Sequence, residues 1–143
     1  MNRDQKVKVV IDTNVLVSAV ISKDSSPADV VRLAILGEIE NYTSEDTLAE
    51  VERILNSEKV LQRIRREHKD DIIRIYRLIS IKVSPKIRVN VIERDPSDNK
   101  FLEAALEAKA DFIITGDHHL LELREFRGVK ILSPSDFLKL LKG

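Results

Sequence analysis

Val7-Lys8-Val9-Val10-Ile11, followed by Asp12-Thr13-Asn14, is the stretch on which the fold turns. A run this rich in Val and Ile reads as a buried parallel strand, because strands covered on both faces carry continuous apolar residues rather than alternation. The polar triplet behind it is a turn, and Val15 to Ile21 suits a helix. Strand, turn and helix open an alternation of strands and helices that runs through the rest of the chain.

Lys23 to Pro27 is a loop in which Ser26 suits a cap and Pro27 the first helical position. Val30, Val31, Ala34 and Ile35 recur at helical spacing until Gly37. Ile39 to Thr43 is a weaker strand. Ser44 opens the next helix, with the stripe Leu48, Val51, Ile54 and Leu55. Leu61, Ile64, Ile72, Ile73, Ile75, Tyr76 and Ile79 place one or two helices between 57 and 80, and Ile81 to Val83 is a short strand. Residues 87–92 are extended, pairing at an edge or approaching the next turn. Asp95-Pro96-Ser97-Asp98 starts a helix that runs to about Ala108. Phe112-Ile113-Ile114-Thr115 is the second strongly apolar strand, and Gly116-Asp117 turns the chain into a short helix, His118 to Leu123. Val129 to Leu132 is the last strand, and Ser133-Pro134 opens a terminal helix through Phe137 to Leu141. This alternation is a doubly wound α/β pattern on a parallel sheet, one domain over 1–143 with no internal repeat.

Composition narrows the function. Charged residues make up 34% and apolar ones 43%, enough of the latter to fill one core. The absence of cysteine excludes disulfides, thiolate metal sites and a thiol nucleophile. No apolar run is long enough to span a membrane, and the opening residues lack a signal-peptide core, so a cytoplasmic protein is expected. Equal numbers of basic and acidic residues, 24 of each, argue against a basic nucleic-acid coat but allow an acidic active site beside a basic face. Two Tyr, four Phe and no Trp argue against a base-stacking platform. No glycine-rich phosphate loop is present.

In doubly wound sheets, ligands sit outside the carboxyl ends of the strands. Asp12 follows the first strand directly, Asp117 follows the fourth by one glycine, and Asp98 opens the helix leading into the fourth. Three carboxylates from distant positions are thus expected at one edge. Clustered carboxylates repel and desolvate one another, and a hard divalent cation such as Mg²⁺ or Mn²⁺ resolves this. Each acid has a plainer use: Asp12, Asp95 and Asp117 suit helix caps, and Asp98 suits a helix dipole. Asp98, however, lies three and four residues before Phe101 and Leu102 and so faces the core. A fourth acid is ambiguous, because Glu50 and Glu52 flank the Leu48–Leu55 stripe symmetrically. His118 and His119 are adjacent and do not form a chelating pair. Arg63, Arg65, Arg66 and Lys69 suit phosphate contacts or simply a solvated helix face.

Together these segments resemble the PIN-domain nucleases, and in particular their stand-alone branch of toxins from toxin–antitoxin pairs. The segment around Asp12-Thr13-Asn14 resembles their opening motif, Asp95 to Leu102 their central motif, and Thr115-Gly116-Asp117 their third. Ser44 to Val51 resembles their second-helix segment, with Glu50 in the acidic position. The resemblance implies a three-layer α/β/α sandwich with a five-stranded, mainly parallel sheet. It implies Mg²⁺- or Mn²⁺-dependent cleavage of single-stranded RNA by metal-activated water, with Asp12, Glu50, Asp98 and Asp117 as metal-binding carboxylates. Asn14 and Thr115 map onto polar positions that orient those acids or the attacking water, and Asp95 onto an additional acid. A homodimer and a small silencing antitoxin are also implied. A phosphate-receiving regulator fits poorly, since its acceptor Asp would end the middle strand, where Val83-Ser84-Pro85 stands. The non-enzyme alternative is a PIN-fold binding protein acting through a protein or RNA partner.

Overall fold

A computed structural model describes residues 5–91 and 98–143, and the expected helix start at Asp95, Pro96 and Ser97 lies outside the described residues. The elements run β1 (Val7–Ile11), α1 (Thr13–Ile21), α2 (Ser26–Ile35), β2 (Ile39–Thr43), α3 (Glu45–Leu55), α4 (Glu58–Leu61), α5 (Arg66–Ile79), β3 (Ser80–Lys82), α6 (Asn99–Ala108), β4 (Phe112–Ile114), α7 (His118–Leu123), β5 (Glu125–Phe126), β6 (Val129–Leu132) and α8 (Pro134–Lys142). The sheet order is β3-β2-β1-β4-β6-β5, with every pairing parallel except β5 on β6.

β1 is central. Its successive residues Val9, Val10 and Ile11 point to alternate faces, yet each is fully buried, so helices cover both sides. Ile113 and Ile114 of β4 are equally buried. α6 packs on β1, β2 and β4 and touches α3, while α1, α2 and α5 pack on one another and α8 rests against α2. Ser25, Ser44, Ser57 and Ser133 cap α2, α3, α4 and α8, each accepting a backbone N–H three residues on. Among the described residues no helix is long and apolar enough to cross a membrane.

The sheet has six strands where five are expected. The extra one, β5, holds two residues and is made by the hairpin Phe126-Arg127-Gly128-Val129. Arg127 and Gly128 both take positive φ, 49° and 91°, as a tight two-residue turn matched to strand twist requires. The segment from Ile87 to Val91 forms no strand. Its backbone is tied instead to one face of α6, whose Asn99, Glu103 and Glu107 recur every four residues. Lys86 N donates to Glu107 Oε1 (2.9 Å), Val89 N to Glu103 Oε2 (2.8 Å) and Val91 N to Asn99 Oδ1 (3.0 Å).

Registers fix the carboxyl edge. Ile11 is level with Ile114, Ile114 with Leu132, and Thr43 with Lys82. The pairing of Val9 with Asn41 puts Thr43 level with Ile11. Passing outward from Asp12, the edge therefore presents Thr43 and Lys82 on one side and Thr115 on the other.

Candidate active site

Asp12 sits one residue beyond β1, with its N–H donating to Ile114 O at 3.0 Å, so its backbone is locked to β4. It is 2% exposed and occupies the position before α1, yet its side chain makes no capping hydrogen bond. Its carboxylate is instead held by Thr115, whose Oγ1 donates to Asp12 Oδ2 at 2.7 Å. The same Oγ1 accepts the Asp117 N–H at 3.0 Å. Burial pushes the Asp12 carboxyl above its ordinary value, the Thr115 hydroxyl opposes this, and the charge of Asp117 adds to the rise. The nearby amides of Asn14 and Thr13 offset it only in part.

Asp117 does cap α7: its Oδ1 accepts from His119 N (2.7 Å) and Leu120 N (3.4 Å), which leaves Oδ2 outside the cap. Asp98 is 6% exposed and directly precedes α6, two residues before Lys100. Phe101 and Leu102 are fully buried, as its core-facing spacing requires. A helix leading into a parallel strand starts at the carboxyl edge, which puts Asp98 at the edge that carries Asp12. The first turns of α3 and α6 are joined there, with Thr47 Oγ1 donating to Lys100 O at 3.1 Å.

Glu50 and Glu52 diverge. Glu50 is mostly buried, its side chain 15% exposed, and receives Arg53 Nη2 at 2.9 Å and Nε at 3.2 Å on Oε2. Glu52 pairs with Arg77 in solvent. Asn14 is exposed and borders, with Gly116, Ser18, Pro27 and Pro134, a cavity of about 230 Å³ beside the acids. The structure thus brings together Asp12, Thr115 and Asp117, buries Asp98, and turns Glu50 toward Arg53. Among the described residues no group of three or more His, Cys, Asp or Glu closes around one point.

The donor chemistry still fits a hard divalent cation. Two neighbouring carboxylates, one nearly desolvated, have no Lys or Arg partner among the described residues. Such a pair is costly unless a counter-charge arrives, and all-oxygen donors suit Mg²⁺ or Mn²⁺.

Sequence reasoning missed a second buried layer behind Asp12. Asn41 Oδ1 accepts the Ile11 N–H at 2.9 Å, and Asn41 Nδ2 donates to Ser80 Oγ at 2.8 Å. Tyr76 Oη donates to Thr43 Oγ1 at 2.8 Å. Burial pushes the Tyr76 phenol up to about 12 and the Asp12 charge adds to it, the Thr43 bond opposing, so the phenol remains a donor. The periodicity of α5 signals only that Tyr76 faces the core; nothing in it points to Thr43.

Residues 8–119 match the sequence profile of the PIN domain. The chain belongs to the PIN-domain family. PIN domains are generally nucleases. This PIN domain is 35% identical to the Uncharacterized protein MJ1680 of Methanocaldococcus jannaschii, over 94% of this chain and 91% of that one. Its fold is similar to a chain in the crystal structure of VapBC2 from Rickettsia felis bound to a DNA fragment from their promoter. That match has a TM-score of 0.57 and 14% identity, covering 87% of this chain and 97% of that chain.

Proposed function

We propose that this PIN domain is a metal-dependent endoribonuclease that cuts single-stranded RNA in the cytoplasm and is the toxin of a toxin–antitoxin pair. The observation that carries the reading is the Asp12–Thr115–Asp117 arrangement: a buried carboxylate, oriented by a hydroxyl, beside a second carboxylate and without a cationic partner among the described residues. Asp12, Asp98, Asp117 and Glu50 would hold Mg²⁺ or Mn²⁺. A divalent ion so bound would polarise the phosphodiester and supply hydroxide near neutral pH. Thr115 fixes which oxygen of Asp12 faces the site and sets the backbone of Asp117. Asn14 borders the cavity in which an RNA strand would lie against the acids. Glu50 would join the set by releasing Arg53, whose side chain is largely exposed.

The antitoxin part of the reading is supported by the VapBC2 neighbour and by an apolar surface. Leu16, Val20, Val31, Ile35 and Ile72 line a cavity of about 360 Å³ between α1, α2 and α5, rimmed by Lys23 and Arg32. Self-association as a homodimer completes the reading and is checked by sedimentation of the purified chain.

The test is incubation with mixed-sequence single-stranded RNA in Mg²⁺, in Mn²⁺ and in EDTA. Endonucleolytic products are expected with either metal and none in EDTA. Intact RNA under all three conditions overturns the enzymatic reading and favours a binding protein.

A further inference from the structure

On the β2–β3 side of the sheet lies a second cavity of about 200 Å³ lined by Thr43, Leu48, Tyr76, Arg77, Ser80 and Lys82. Its place follows from register: Thr43 is level with Ile11 and Lys82 with Thr43, so Lys82 stands two strands, about 10 Å, from the backbone beside Asp12. Its floor reaches the site directly, because Tyr76 Oη bonds Thr43 Oγ1 and feels the charge of Asp12. Leu48 gives its wall an apolar side, the Tyr76 ring lies fully buried beneath it, and Arg77 and Lys82 line it with two cations. Those cations pair with Glu52 and Glu45 respectively, in bridges whose four side chains are 36–75% exposed. Exposed pairs of this kind hold little energy and exchange readily for a phosphate.

We infer that this cavity is a nucleotide subsite for the RNA strand, with Lys82 and Arg77 on the two phosphates that flank the residue and the half-buried Leu48 against its sugar, above the buried Tyr76. The inference rests on the ribonuclease reading and adds to it a direction: the strand crosses the carboxyl edge from β3 and β2, over Asp12, toward Gly116. Two cations make the contact sequence-tolerant, because phosphate contacts position the strand without reading its bases. Thr43 and Ser80 are occupied by Tyr76 and Asn41 and serve as floor rather than as readers.

The test is binding of a fluorescently labelled, mixed-sequence single-stranded oligoribonucleotide to the full chain in EDTA. The parent is compared with Arg77→Gln/Lys82→Gln and with Lys139→Gln/Lys142→Gln, an equal charge loss at exposed positions in the last turns of α8. The subsite variant should bind at least tenfold more weakly at low salt. Its slope of log affinity against log salt should be shallower by about 1.4, two single-strand phosphate contacts. The α8 variant should differ from the parent by less than threefold. In Mg²⁺ the subsite variant should show a raised KM for RNA with kcat within about threefold of the parent. Equal losses in the two variants, or an unchanged salt slope in the subsite variant, overturn the subsite. A parent that binds no RNA and cuts none overturns the ribonuclease reading itself, which separates the two failures.

Discussion

Thr115 donates its hydroxyl proton to Asp12 Oδ2 at 2.7 Å, across 103 residues of sequence. The same oxygen accepts the Asp117 N–H, so one hydroxyl sets both acids that the carboxyl edge brings together. Thr115→Val keeps the shape and removes that oxygen. It strands a buried carboxylate oxygen and a backbone N–H, so stability should fall by about 1–3 kcal/mol. RNA cleavage should fall further than stability accounts for, and Thr115→Ser should restore most of both. Denaturant unfolding beside a cleavage time course checks this; a valine variant that folds and cuts like the parent removes Thr115 from the site.

The raised pKa of Asp12 has a consequence for stability against pH. A carboxyl that holds its proton more tightly when folded than its ordinary 3.8 makes the folded state the one that binds more protons. Stability then falls as pH rises from that ordinary value through the folded one, and stays reduced above it. Asp12→Asn removes the cost. In EDTA the variant should therefore match the parent near pH 3.5 and exceed it in Tm by a margin that grows with pH and then levels off. The margin corresponds to about 1.4 kcal/mol for every tenfold difference in proton affinity between the folded and unfolded chain. A margin constant from about pH 3.5 to pH 8 contradicts the charged, buried state of Asp12.

Glu50 and Glu52 are separated by one residue and by their partners, Arg53 and Arg77. Glu50→Gln should lower kcat on RNA by about 10²-fold or more, because losing a metal carboxylate forfeits several kcal/mol of transition-state stabilisation. Asp98→Asn should do the same, with both variants folded. Glu52→Gln should leave kcat within about twofold of the parent. The reverse pattern in single-turnover cleavage assigns the fourth acid to Glu52.

Glu103 anchors the approach to Asp98. Its carboxylate is 5% exposed, accepts the buried Val89 N–H at 2.8 Å and meets Arg88 Nη1 at 3.2 Å. Glu103→Ala leaves that N–H without its acceptor and should cost about 1–3 kcal/mol, the Arg88 pair adding little because Arg88 is exposed. Hydrogen exchange should locate the loosening at residues 86–91; protection unchanged there contradicts the anchoring role.

Much of this molecule is legible in its sequence, for reasons that also explain what is not. β1 and β4 announce themselves because double-sided burial demands runs of Val, Ile and Phe such as Val9–Ile11 and Phe112–Ile114, and the acids that follow them are placed by the edge they end on. β5 is invisible because two residues carry no period, and Arg127 at positive φ is an uncommon turn former. The spacing of Asn99, Glu103 and Glu107 is plain on α6, but their partners lie on irregular backbone whose path no local rule fixes. The same holds for Tyr76: a helical stripe says that it is buried, and only the fold supplies Thr43, 33 residues away. Glu50 is chosen over Glu52 by family resemblance, since the helix stripe treats them alike.

Whether the acids around Asp12 form a cation site is decided by a melting curve taken as Mg²⁺ or Mn²⁺ is added. A cation that binds only the folded chain raises Tm with its concentration, by about 2.7 kcal/mol of stability at a hundredfold excess over its dissociation constant. The parent should show this rise, and Asp12→Asn, folded and at least as stable in EDTA, should show little of it. A variant whose Tm climbs with metal as steeply as the parent's would contradict the cation site.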